Sequence, residues 1–139
     1  ADAGDLAAAV CDLIRDSALL PQIIVKSFTL DALPHVQRLC PSVRTAALFE
    51  PTTATVLNKQ RNIIDPAVRS GADELSLHYS LATRRLMDKA SQLGMPVTVW
   101  TVDKPRWLAK AEALGIKAVI TNDPRLLIGR ISESSSPGK

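Results

Sequence analysis

With 139 residues, the chain is long enough to bury one core and too short for a complete (β/α)8 barrel of roughly 250 residues. Apolar residues at 46%, charged residues at 22% and aromatics at 4% exclude a disordered or fibrous chain, and leave Ala, Leu, Ile and Val to fill the interior, as suits parallel strands covered by helices. The net charge of +3 is scattered among acids with no run of Lys or Arg, so no nucleic-acid partner is expected.

Over residues 5–16, Leu6, Val10, Leu13 and Ile14 recur at steps of three and four, which predicts a helix with one buried face ending near Leu20 and Pro21. Residues 23–28 form a β-branched run with little alternation, the pattern of a strand buried on both faces. Thr29 is the expected cap of a second helix whose stripe is Leu33, Val36 and Leu39, stopped by Pro41. A strand over 43–49 follows. Residues 52–69 hold a looser helical pattern between Pro51 and Gly71, and Leu75, Ser76 and Leu77 make a weaker third strand. Leu86, Met87, Ala90 and Leu93 mark a helix closed by Gly94, after which residues 97–102 carry the strongest strand signal in the chain. Asp103 is the expected N-cap of the next helix, with Leu108, Ala111 and Leu114 as its stripe. A fifth strand is expected over 118–121. A short helix with Leu126, Leu127 and Arg130 follows, and then a flexible tail over 132–139. Strand and helix alternate throughout, so the class is α/β with parallel strands joined by right-handed crossovers.

Cys11 and Cys40 have no CxxC spacing and no His companion, which predicts free thiols. No stretch approaches the roughly 18 apolar residues of a membrane span, and no basic-then-apolar leader opens the chain. No membrane span is expected, and a cytoplasmic location is.

Ligands in parallel α/β folds meet the loops at the carboxyl ends of the strands. Four segments that contain such ends, IIVKSF, LSLHYSLATRRLMDKASQLGMPV, VWTVDKP and GIKAVITNDP, together resemble the glycerophosphodiester phosphodiesterase family in order and spacing. The resemblance implies that residues 1–131 are the C-terminal portion of a (β/α)8 TIM barrel, about its last five strands. It also implies a parent protein that hydrolyses glycerophosphodiesters to an alcohol and glycerol 3-phosphate with a divalent cation, Mg2+ or Ca2+. The family's His-Arg-Gly, Pro-Glu-Asn, Glu-x-Asp, His-Asp and Glu-x-Lys segments supply paired histidines and metal carboxylates, and this sequence has none of them. No catalytic residue is therefore assigned, no metal is expected on this chain, and the chain alone is expected to be inactive. Asn122 stands where the family carries Asp in its Thr-Asp-x-Pro segment.

Four residues are candidates for substrate contact. Trp100 ends the strongest strand, where a rigid ring can wall a pocket against a carbon frame or simply pack in the core. Lys26 is a costly residue for a strand interior unless it meets an anion, and alternation points it to the same face as Phe28. His78 lies at the mouth of the third strand and is the weakest of the four. His35 falls on a helix and reads as solvated, Ser27 lacks a His-Asp partner, and Trp107 reads as helix packing. Two other readings compete: a non-catalytic half-barrel that binds or assembles, and a flavodoxin-type phosphate binder, against which stands the lack of a Gly-rich loop after any strand. Five parallel strands leave open edges, so a homo-oligomer or pairing with an N-terminal fragment is expected.

Overall fold

In the computed structural model, which describes residues 2–134, one parallel sheet runs β1 (Ile24–Ser27), β2 (Arg44–Phe49), β3 (Glu74–His78), β4 (Val97–Trp100) and β5 (Ala118–Val119), paired in that order. Helix α1 (Ala3–Ile14) precedes β1, and α2 (Ala32–Leu39) joins β1 to β2. Between β2 and β3 lie α3 (Thr53–Leu57), a π turn (Gln60–Ile64) and α4 (Asp65–Ser70). Helices α5 (Arg84–Gln92), α6 (Trp107–Leu114) and α7 (Pro124–Ser134) follow β3, β4 and β5. The α/β class and the single five-stranded parallel sheet agree with the sequence pattern.

The core lies on one face of that sheet. Ala47, Phe49, Leu75, Leu77, Val97 and Val99 alternate along β2, β3 and β4 and bury against Leu33, Ile63, Ile64, Leu86 and Met87 from the helices. Each of the larger side chains among them removed from water contributes about 2 kcal/mol, so this face sets how the helices dock. A smaller cluster of Ala7, Cys11, Val36, Cys40 and Val43 fixes α1 on α2. Both cysteines are free and buried there.

Several helices differ from expectation for local reasons. Helix α1 stops at Ile14, because the Ser17 hydroxyl accepts the Leu19 N–H at 3.1 Å and holds a turn before the short 3-10 segment Leu20–Gln22. Its buried face is also rotated: Leu6 and Leu13 are 57% and 83% exposed, and the small residues Ala7 and Cys11 face α2, where they let the two helices approach closely. Leu39 and Leu93 lie at helix ends and are exposed over somewhat less than half of their surface. The expected helix over 52–69 is broken. Thr52 caps α3 with a reciprocal capping box, but Pro66 has no N–H to return to the preceding turn, and the chain widens into the π turn before α4. Gly71 ends α4 at φ 71, where a Cβ would lie 3.0 Å from Gln37 Oε1.

Strand β1 is half-exposed along its whole length and not buried on both faces, since among the described residues β2 is its one neighbour in the sheet. Thr29 does not cap α2 through its side chain; its carbonyl accepts the Ala32 N–H at 3.1 Å. Strand β4 ends at Trp100 and β5 spans two residues. Helix α7 continues through Ser132–Ser134, which were expected in the tail, while 135–139 lie outside the described residues. Among the described residues no helix is long and apolar enough to cross a membrane.

Candidate functional site at the carboxyl ends of the strands

The face opposite the core carries polar side chains, above all along β3. Side chains alternate along a strand, so Glu74, Ser76 and His78 of β3 leave the core face that Leu75 and Leu77 occupy. The register sets Lys26 level with Ala46 and Glu74, Ser76 level with Thr98, and His78 level with Trp100. Lys26, Ser76, His78 and Trp100 thus share one face, and the last two stand at the strands' carboxyl ends.

Three of the candidates form one aromatic group. The rings of Phe28 and Trp100 meet edge to face with centroids 6.1 Å apart, and His78 meets Trp100 perpendicularly at 5.3 Å. Such geometries suit the ring quadrupoles. Phe28 is 55% exposed and Trp100 half-buried, so the group is open on one side. The Trp100 Nε1 is buried and bonds to none of the described residues. The fourth candidate, Lys26, donates from Nζ to Ser76 Oγ at 3.3 Å. Burial holds its ammonium below the usual lysine range; Glu74 pulls it back up and Lys117 pushes it further down. A partly dehydrated cation with one neutral hydrogen-bond partner keeps donor capacity unused.

The amino-terminal end of the same face carries a charge cluster. Glu74 keeps only 5% of its side chain exposed and lies between Lys117, which donates to Oε1, and Arg44, 3.7 Å from Oε2. The Arg44 and Lys117 side chains are 44% and 40% exposed.

Sequence reasoning passed over Ser76, Glu74 and Tyr79. For Glu74 and Ser76 the signal is the period-two order Glu-x-Ser-x-His within residues 74–78, polar residues on one face of a strand whose apolar residues dominate the pattern; Tyr79 lies in the turn after that strand and has no such signal. His35 contacts Arg38 within α2 and lies beside Gly4 of α1, taking no part in the aromatic group. Ser27 Oγ bonds to the Thr29 backbone in both directions at 3.0 Å. Trp107 packs against the core and meets Tyr79 at 5.9 Å.

Asp103 does not cap α6, which begins four residues later. Its Oδ1 accepts the Asn122 N–H at 2.8 Å and the Thr121 hydroxyl at 2.9 Å, tying the loop after β4 to the loop after β5. These bonds, the backbone one first, hold its carboxyl below the usual aspartate range. A group whose pKa is depressed in the folded state stabilises above its unfolded value, about 4, and loses that contribution as pH falls through the folded value. Urea unfolding of the wild type and Asp103→Asn across acid pH is therefore expected to show a gap in stability that is constant above about pH 5 and closes on acidification. A gap independent of pH would contradict this.

The model of the Glycerophosphoryl diester phosphodiesterase family matches residues 4–126. YhdW of Bacillus subtilis, provisionally named a glycerophosphodiester phosphodiesterase, is 26% identical over 105 residues, covering 76% of this chain and 42% of its own. A crystal structure from Silicibacter pomeroyi, provisionally named a glycerophosphoryl diester phosphodiesterase, superposes with a TM-score of 0.80 at 20% identity, covering 95% of this chain and 45% of that one. An Oleispira antarctica phosphodiesterase, solved in complex with the product sn-glycerol-3-phosphate, superposes with a TM-score of 0.76 at 17% identity, covering 94% and 50%. The chain spans about half the length of these relatives.

Proposed function

Because the chain belongs to the glycerophosphoryl diester phosphodiesterase family, we propose that residues 1–131 are the substrate-facing C-terminal portion of a (β/α)8 barrel. The whole protein would hydrolyse glycerophosphodiesters to an alcohol and glycerol 3-phosphate. The observation that carries this reading is the convergence of Phe28, His78 and Trp100 at the strand ends, with Lys26 on the same face. In this reading Trp100 and Phe28 pack the glycerol carbons, the buried Trp100 Nε1 gains a ligand oxygen as acceptor, and Lys26 faces the phosphate. Water adds across the P–O bond to the alcohol, and the protons are moved by groups that this chain does not contain.

A divalent cation, Mg2+ or Ca2+, would be held by residues of the whole protein. Those present here do not fit it: among the described residues no group of three or more His, Cys, Asp or Glu could hold a metal ion. Positioning walls without an acid, a base or a metal cage supply little of the barrier reduction. The purified chain is thus expected to bind sn-glycerol 3-phosphate, followed by tryptophan fluorescence, and to release no glycerol 3-phosphate from glycerophosphocholine with or without Mg2+ or Ca2+. Turnover by a preparation free of contaminating enzyme would overturn the assignment of the chemistry elsewhere, and absence of binding would overturn the substrate-facing role.

A second reading is favoured by the sheet's open edges. β1 is half-exposed and β5 has one strand beside it, so a half-barrel that pairs with a second copy or a complementary fragment covers both. Light scattering distinguishes them: a dimer supports assembly, and a monomer at high concentration counts against it.

A further inference from the structure

We propose that His78 serves this site as a fixed hydrogen-bond donor through Nε2, a recognition group for an anionic phosphate-ester oxygen and not a proton-transferring base. The inference rests on the substrate-facing role given above and deepens it.

The Ser80 backbone N–H donates to His78 Nδ1 at 3.2 Å. An amide N–H can only donate, so Nδ1 must present its lone pair to it. The neutral imidazole carries one N–H, and that proton is left on Nε2. The Ser80 hydroxyl sits 2.7 Å from the same Nδ1, and its rotatable proton suits an acceptor there equally well. The ring cannot easily turn to exchange its nitrogens. It stacks on Tyr79 with centroids 4.4 Å apart and planes at 29°, and stands at 90° to Trp100.

A general base must offer a lone pair to the proton that it takes. In His78 the lone pair is engaged by Ser80, and the free nitrogen is a donor. Lys26 donates as well, and Trp100 Nε1–H can only donate. All three polar atoms that the candidate residues bring to this face are therefore donors, a set that selects a ligand rich in acceptor oxygens and rejects one that presents N–H groups.

The test uses the purified chain at neutral pH. Long-range 1H–15N spectra of the imidazoles are expected to show His78 with Nε2 protonated and Nδ1 unprotonated, and added sn-glycerol 3-phosphate is expected to move the Nε2 resonance. His78→Gln, whose amide N–H can reach the Nε2 position, is expected to bind within about threefold of wild type, and His78→Ala about tenfold more weakly, the scale of one hydrogen bond to a charged group. A proton on Nδ1 overturns the proposal whatever the variants do. So does wild-type affinity in His78→Ala, or equal losses in both variants, which would make the ring a packing element. If the tautomer is as stated and the wild type binds no sn-glycerol 3-phosphate, the substrate-facing role itself fails and the donor's role with it. Should His78→Ala not fold, His78→Gln and the spectra decide.

Discussion

Replacing both Arg44 and Lys117 by Met is expected to cost about 3 kcal/mol of stability, while Glu74→Gln costs about 1 kcal/mol. The asymmetry follows from burial. Glu74 is almost wholly removed from water, and both cations keep close to half of their side chains exposed. Deleting the two cations leaves a dehydrated carboxylate with Lys26 as its remaining nearby counter-charge, and losing the partners of a buried charge is the expensive half of breaking such a cluster. Neutralising Glu74 leaves two cations that solvent can rehydrate. Urea unfolding of the three proteins at neutral pH measures it, and the order of the two losses is the discriminating result. A larger loss in Glu74→Gln than in the double variant would show that the carboxylate's hydrogen bonds, and not its desolvation, dominate.

The second large effect is expected at Trp100. Its ring joins Phe28 and His78, and in Trp100→Ala both lose their common partner. If that ring also packs the ligand's carbon frame, removing it forfeits about 2 kcal/mol of contact, or about 30-fold in affinity for sn-glycerol 3-phosphate. A Trp107→Phe background leaves Trp100 as the sole tryptophan for the parent titration, excited apart from Tyr79, and calorimetry serves for Trp100→Ala, which removes it. Unchanged affinity together with lowered stability would make Trp100 a core ring and nothing more.

The sequence made some of this legible, and the reasons are physical. Buried strands announced themselves: residues 97–99, Val-Thr-Val, have no solvated alternative, and Gly94 and Gly115 punctuate the helices that flank β4. Helix α1 was misread because hydrophobic periodicity weighs large side chains, and here the packed face is the small one, Ala7 and Cys11, while Leu6 and Leu13 point away. Asp103 was misread because a cap and a cross-loop acceptor need the same residue type, and only the distance to Asn122 tells them apart. Alternation placed Lys26 and Phe28 on one side, and the strand-end rule singled out His78 and Trp100. That His78 and Trp100 stand side by side depends on the register of β3 against β4, which no local pattern encodes.

Strand order has a kinetic side. Paired residues in neighbouring strands are separated by 20 positions, as between Ile24 and Arg44, up to 28, as between Ala46 and Glu74. Among the described residues no ladder closes a longer loop, and closure entropy grows only slowly over such lengths. The sheet can therefore zip from any adjacent pair and elongate strand by strand. Each added strand finds its template already formed, and none waits for a partner from the far end of the chain.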